Sequence, residues 1–242
     1  RCADDLEAAL DIGRQAGRRA LGKVGAKKIP TKKIPVVFEA PIASGVLRHF
    51  ISAVSGGSLY RKQSFLEGAI GESVFPEFIS IKEDPFVRRG LSSSAFDNEG
   101  VQTQKRSIVS SGKVEGLFLS TYSAKKLGLT STGNAGGAHN LSVHAGTHTH
   151  EFSELLNMMG TGFLVTDLLG HGTNMVTGDY SRGASGFWIE DGEIIHPVQE
   201  VTVAGNLKDM FKAIQGVGND SLNRSSFKVG SLLIDSMTVG GD

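Results

Sequence analysis

The run at residues 41–66, PIASGVLRHFISAVSGGSLYRKQSFL, most limits how this chain can fold. Val46, Leu47, Phe50, Ile51 and Val54 fall at i, i+1, i+4, i+5 and i+8, an apolar stripe at the helical period. Pro41 suits a first turn, and Gly56-Gly57 is expected to stop the helix. A helix with so continuous a stripe must be covered, so the rest of the chain is expected to pack around it. His49 falls off the stripe beside Ser52, a position that taken alone reads as a solvated or hydrogen-bonded imidazole.

The flanking segments supply the cover. Residues 3–21 are patterned as an amphipathic helix, with acids in the first turns and arginines in the last, matching the helix dipole. A chain that opens directly into such a helix points to an upstream domain. Residues 1–27 therefore read as a helix and linker, and residues 28–242 as the main domain. Strands are expected at 36–38, 77–82, 106–110, 114–120, 163–169, 174–180, 186–203 and 231–239. Ser111-Gly112 and Asp191-Gly192 are hairpin turns. Helices are expected at 63–70, at 121–127 before Gly128, at 150–159 before Gly160, and from a cap at Asn206 to about residue 215. Hairpins separated by single helices give an α+β fold. Its sheet is mostly antiparallel or mixed, and a barrel-like curl is among its arrangements.

Composition narrows the chemistry. Cys2 is the only cysteine, so the interior has neither a disulfide framework nor a thiolate cage, which favours a reducing compartment. No apolar run reaches the roughly 18 residues of a membrane span, and the expected location is the cytoplasm, with no membrane partner. Basic and acidic residues balance at 25 each, so a nucleic-acid backbone is not an expected partner.

Two clusters carry candidate chemistry. His144, His148 and His150 lie near His139, Glu151 and His171, and His148 and His150 would share one face of a strand as zinc ligands. The same run straddles Ala145-Gly146-Thr147, which fits a solvated loop. The second cluster is TGDYSRGASGFW, residues 177–188. There Arg182 can hold a carboxylate, with Asp179 beside it and Tyr180 and Trp188 as apolar walls. An Asp179 to Arg182 pair within a tight turn explains the same letters. The Gly-rich TSTGNAGG at 130–137 lacks the lysine of a phosphate-cradling loop, and there is no Gly-x-Ser-x-Gly elbow.

Further motifs carry a resemblance. FPEFISIKEDP, AFDNEGVQT, the TGNA loop, NMVTGDYSRGASGFWIEDGEI, VTVAGNLKDMF, VGND and the terminal MTVGG resemble the TldD/PmbA family, once named modulators of DNA gyrase. They run from about residue 28 to the end, and TGDYSRGASGFW is similar to the PmbA branch. In active relatives a His-Glu-x-x-x-His motif and a cysteine near the C-terminus hold zinc, and the glutamate acts as general base. The resemblance places the first histidine at His49, the glutamate at Phe50 and the second histidine at Val54. The matching C-terminal stretch, SLNRSSFKVGS, has no cysteine. Phe50 cannot accept a proton and Val54 cannot ligate a metal.

The resemblance therefore implies the C-terminal part of a PmbA-like subunit without zinc or catalytic residues of its own. Its expected partner is a TldD-like zinc subunit in a heterodimer, or a second copy in a homodimer, and its substrate an extended peptide. Exposed strand edges are the expected route for that peptide, by β-addition. Two other readings stand beside this one: a self-sufficient metallopeptidase using His144, His148 and His150, and a gyrase-modulating interaction module.

Overall fold

A computed structural model describes residues 5–241, so Cys2 and the first two residues of the expected opening helix lie outside the described residues. The opening helix, α1, spans Ala9–Leu21, six residues shorter than the sequence pattern predicts. The acids meant for its first turn are drawn elsewhere: Asp5 pairs with Arg89 at 2.9 Å and Glu7 with Arg224 at 3.5 Å. No side chain of α1 is buried. It is tethered by ion pairs from Arg19 to Glu39 and from Lys23 to Asp167.

The centre is a five-stranded barrel built from β1 (Lys32–Phe38), β7 (Gly162–Leu169), β8 (Asp179–Glu190), β9 (Glu193–Asn206) and β12 (Leu232–Gly240). It closes because β1 pairs on both sides, parallel with β7 and antiparallel with β12. Val36 and Phe38 of β1 join Phe163, Val165, Val203 and Ile234 in the main core, while Val37 and Leu164 face α5 (Phe152–Met159) outside. That alternation follows from the two-residue period of a strand. Beyond β12 the sheet continues through β10 (Ile214–Gly218) to the two-residue β6 (Thr149–His150). A second sheet runs in the order β11 (Phe227–Lys228), β5 (Asn140–His144), β2 (Ser80–Asp84), β3 (Arg106–Ser110) and β4 (Lys113–Val114). The fold is thus mixed α+β, as the hairpin pattern predicts. The edge strands β6, β11 and β4 hold two residues each, so β6 covers only Val217 and Gly218 of β10 and β4 only Val109 and Ser110 of β3.

Helix α2 (Ala40–Ala53) follows β1 directly and lays its stripe into the core. Val46, Leu47, Phe50 and Val54 are fully buried, and Phe50 packs edge-on against Phe75 and Phe211. The Gly-Gly pair does not stop α2. It opens a short helix, α3 (Gly56–Tyr60), and glycine is needed at its start because a Cβ on Gly56 would lie 2.3 Å from Ser123 Oγ in α4 (Thr121–Leu127). Residues 63–70 form turns instead of the expected helix, since Ser64 Oγ donates to Ala53 O and Phe65 N to Met175 O. The expected strand character at 174–178 is likewise replaced by a turn in which Asn174 Oδ1 accepts from Val176 N. Helix α6 (Leu207–Lys212) is capped by Asn206 as the sequence predicts, but it ends early because β10 begins at Ile214.

The second sheet is pinned by one buried ionic group. Glu83 on β2 is 2% exposed and accepts from Arg106 Nε at 2.7 Å, Asn134 Nδ2 at 2.8 Å and His139 N at 2.8 Å. Arg106 also donates to Leu117 O and Asn134 Oδ1, so the Gly-rich TGNA loop serves as a partner in this network. Breaking a buried pair from one side leaves an uncompensated charge. Arg106→Met should therefore lower unfolding free energy by about 3–5 kcal/mol in denaturant titrations, whereas Lys105→Met, which removes an exposed pair with Asp84, should change it by less than about 1 kcal/mol.

Candidate functional site

Two segments that the sequence treats separately meet at one end of the barrel. α2 carries His49 toward the start of β8, where the imidazole lies 6.0 Å from the Tyr180 ring at an interplanar angle of 74°. Alternation along β8 sends Tyr180 and Arg182 to the same face and Asp179 to the other. Thr173, in the loop at residues 170–178, closes the group with its Oγ1 3.5 Å from His49 Nε2. This loop folds back onto β8, with Ser181 N donating to Gly172 O at 2.7 Å. Only glycine permits that approach, since a Cβ at Gly172 would lie 1.6 Å from Ser181 O.

The electrostatics of the cluster are unusual for a core. Tyr180 is 1% exposed and its Oη has no hydrogen-bond partner, and the buried Nε of Arg182 has none either. An unsatisfied buried donor of this kind costs about 1–3 kcal/mol. Burial pushes the Tyr180 phenol up to about 12, with the Arg182 charge offsetting part of the effect, so Tyr180 stays protonated and can only donate or accept as a neutral hydroxyl. Burial, and then the positive charge of Arg182, holds the His49 imidazole below its ordinary range, which favours its neutral form.

The remaining members of the second cluster lie apart. Asp179 makes no pair with Arg182. It binds Thr177 Oγ1 at 2.6 Å and Asn206 Nδ2 at 3.2 Å, because it points away from Arg182. Trp188 is six residues along β8 from Arg182, about 20 Å at the rise of an extended strand. It is buried, donates from Nε1 to Glu190 and lies under Lys32, so it walls no site at Arg182.

The histidine run does not assemble a metal centre. Among the described residues no three His, Cys, Asp or Glu side chains are grouped to hold an ion. His144 sits on β5 in the second sheet, bonded to Ser142 Oγ, and His150 on β6 in the extension of the barrel sheet. His148 lies in a 3₁₀ turn with its ring stacked 4.0 Å from Phe78, so the two do not share a strand face as expected. His139 is occupied by the carbonyls of Ser92 and Gly133.

The position of the family zinc motif does not fit a zinc ion either. Its only imidazole is His49, Phe50 and Val54 are fully buried in the core, and the positive charge of Arg182 acts on that imidazole. The role of Thr173 had no signal in the sequence, because its contact depends on a loop folding back. The meeting of His49 with Arg182 was hidden by 132 residues of intervening chain.

Two outcomes follow for this cluster. In an NMR titration the His49 imidazole should ionise below the usual histidine range, and Arg182→Gln should raise its midpoint part of the way. Since the folded form disfavours the charged imidazole, the contribution of His49 to stability is present above pH 6.5 and is lost as pH falls through its folded value. His49→Gln should remove that part of the acid sensitivity. At the neighbouring position, Phe50→Ala should cost about 3–5 kcal/mol in denaturant unfolding. Phe50→Glu should lower the melting temperature at least as far without producing peptide cleavage, because the carboxylate would enter the aromatic cluster of Phe75 and Phe211.

Comparison with known proteins agrees with the motifs. Residues 31–241 match the PmbA/TldA metallopeptidase C-terminal domain family. The chain is 46% identical over 239 residues to a Haemophilus influenzae metalloprotease PmbA homolog, covering 99% of this chain and 53% of that protein. It is 45% identical over 241 residues to Escherichia coli O157:H7 metalloprotease PmbA, covering 100% of this chain and 53% of the relative. A crystal structure from Bacteroides thetaiotaomicron, provisionally named a modulator of DNA gyrase, superposes with a TM-score of 0.93 at 33% identity, over 99% of this chain and 54% of that one. This chain thus spans about half the length of the relatives it matches. A family match over most of its residues, joined by near-complete alignment to relatives at 45% identity or more, leads to one conclusion: the chain belongs to the PmbA/TldD metallopeptidase family.

Proposed function

We propose that this chain is part of a non-catalytic, peptide-binding subunit of a metallopeptidase, working beside a TldD-like subunit that holds the zinc. The observation that carries this reading is the chemistry at the motif position. A lone imidazole faces a guanidinium, and the positions of the general base and second ligand are occupied by buried Phe50 and Val54. A cation there would meet repulsion from Arg182, and neither Phe50 nor Val54 can ligate it or activate water. The family resemblance, which places two histidines and a cysteine on zinc in active relatives, supports a partner of that kind. In this reading the chain's share of the work is to hold and orient an extended peptide. An open cleft of about 240 Å³, lined by Phe65, Glu72, Lys208 and Lys212, adjoins the 170–178 loop through the bond from Phe65 N to Met175 O and offers room for part of it.

The test is reconstitution. The protein is purified alone and with a TldD-type subunit, and bound zinc and cleavage of an unstructured peptide are measured for each. The expected result is zinc and chelator-sensitive cleavage in the pair, with neither in this protein alone. Stoichiometric zinc on the isolated protein that is lost on His49→Ala, together with turnover, would sink the proposal.

A further inference from the structure

We infer that His49, Thr173, Tyr180 and Arg182 form a binding site for a carboxylate, presented by the end of a peptide chain. The inference rests on the peptide-binding role proposed above and names what that role recognises. Two donors define the site: the hydroxyl of Tyr180, 1% exposed, and the buried Nε–H of Arg182, both without an acceptor among the described residues. An arginine has no acceptor atom, so its Nε–H needs a lone pair from another group; the Tyr180 oxygen lies beside the guanidinium but completes no bond with Nε. Arg182 joins none of the ion pairs among the described residues, and its neighbour in sequence, Asp179, is committed to Thr177 and Asn206 on the other face of the strand. An anion with two oxygen acceptors would satisfy both donors at once.

A carboxylate has the right form. One oxygen can accept from the Tyr180 hydroxyl and the other from Arg182 Nε, a charge-assisted arrangement. His49 and Thr173 supply the rim, with the imidazole edge-on to the Tyr180 ring and the threonine hydroxyl 3.5 Å from Nε2. The cluster carries a single fixed positive charge, which matches a monoanion. A C-terminal carboxylate suits a sequence-tolerant binder, since every peptide ends in one. An aspartate or glutamate side chain would bring the same chemistry from within a sequence.

The experiment uses fluorescence anisotropy with fluorescein-labelled hexa-alanine as the free acid, as the C-terminal amide, and as an amide carrying one internal glutamate. Thermal shift with N-acetylglycine and with N-acetylglycinamide supplies a probe that does not depend on peptide binding. The free acid should bind at least tenfold tighter than the plain amide, and N-acetylglycine alone should raise the melting temperature. Arg182→Met and the near-isosteric Tyr180→Phe should each bring acid and amide within twofold and abolish the shift. Arg182→Lys, which keeps the charge but loses the Nε geometry, should recover only part. Tight binding of the internal glutamate peptide with no advantage for the free acid supports the carboxylate site and assigns it to acidic side chains, overturning the chain-end source. A shift with N-acetylglycine but no binding of any peptide keeps the site and removes the peptide-binding function. Equal binding of all three peptides with no thermal shift overturns the site and leaves that function standing. The absence of both overturns both.

Discussion

The double pairing of β1 is the constraint from which the rest of the architecture follows. A strand bonded to β7 on one side and β12 on the other joins the beginning of the domain to its end, and the sheet becomes a barrel without free edges between these strands. Closure fixes which residues face inward, so Val36 and Phe38 belong to one core and Val37 to the other. Because α2 begins two residues after β1, the same closure sets where its stripe enters and where His49 emerges. The candidate site is in this sense a product of strand register. Tyr180 and Arg182 share its face because β8 is paired residue by residue with β9, Tyr180 opposite Gly205 and Arg182 opposite Val203.

The second sheet is held differently. Its strands are short, and its fixed point is the carboxylate of Glu83, surrounded by Arg106, Asn134 and a backbone amide. A buried ionic network of this kind adds little net free energy over an apolar core, but it tolerates few alternative arrangements. The Gly-rich loop around Asn134 is therefore explained by satisfaction of a buried acid, not by a ligand. The two sheets show polar groups in opposite conditions. Near Glu83 every strong group is answered, whereas near Tyr180 two donors are not.

Much of the fold was legible in the sequence because its signals were local. The stripe from Val46 to Val54, the turn at Asp191-Gly192 with both residues at positive φ, and the Gly128 stop of α4 each depend on a few neighbouring residues. What was misread depended on distant contacts. The acids before α1 left the helix dipole for Arg89 and Arg224, and the Gly-Gly pair answered to Ser123 instead of ending a helix. The candidate site divided in the same way. Arg182 and Tyr180 carried a signal in their own segment, but Trp188 was grouped with them by proximity in sequence, which along an extended strand is separation in space. Histidines crowded within a dozen residues went to two different sheets, while His49 found its neighbours far along the chain.

The aromatic nest around Phe50 bears on what mutation can reach from this sequence. Phe50 touches Phe75 and Phe211, and Val54 is sealed in the same interior. Polar replacements at these two positions would be felt first as damage to the interior, before any ion could reward them. Several substitutions would have to arrive together, in the helix and in the rings packed against it, for a hydrolytic centre to arise here. A stepwise route is blocked by packing, as a ratchet blocks a wheel.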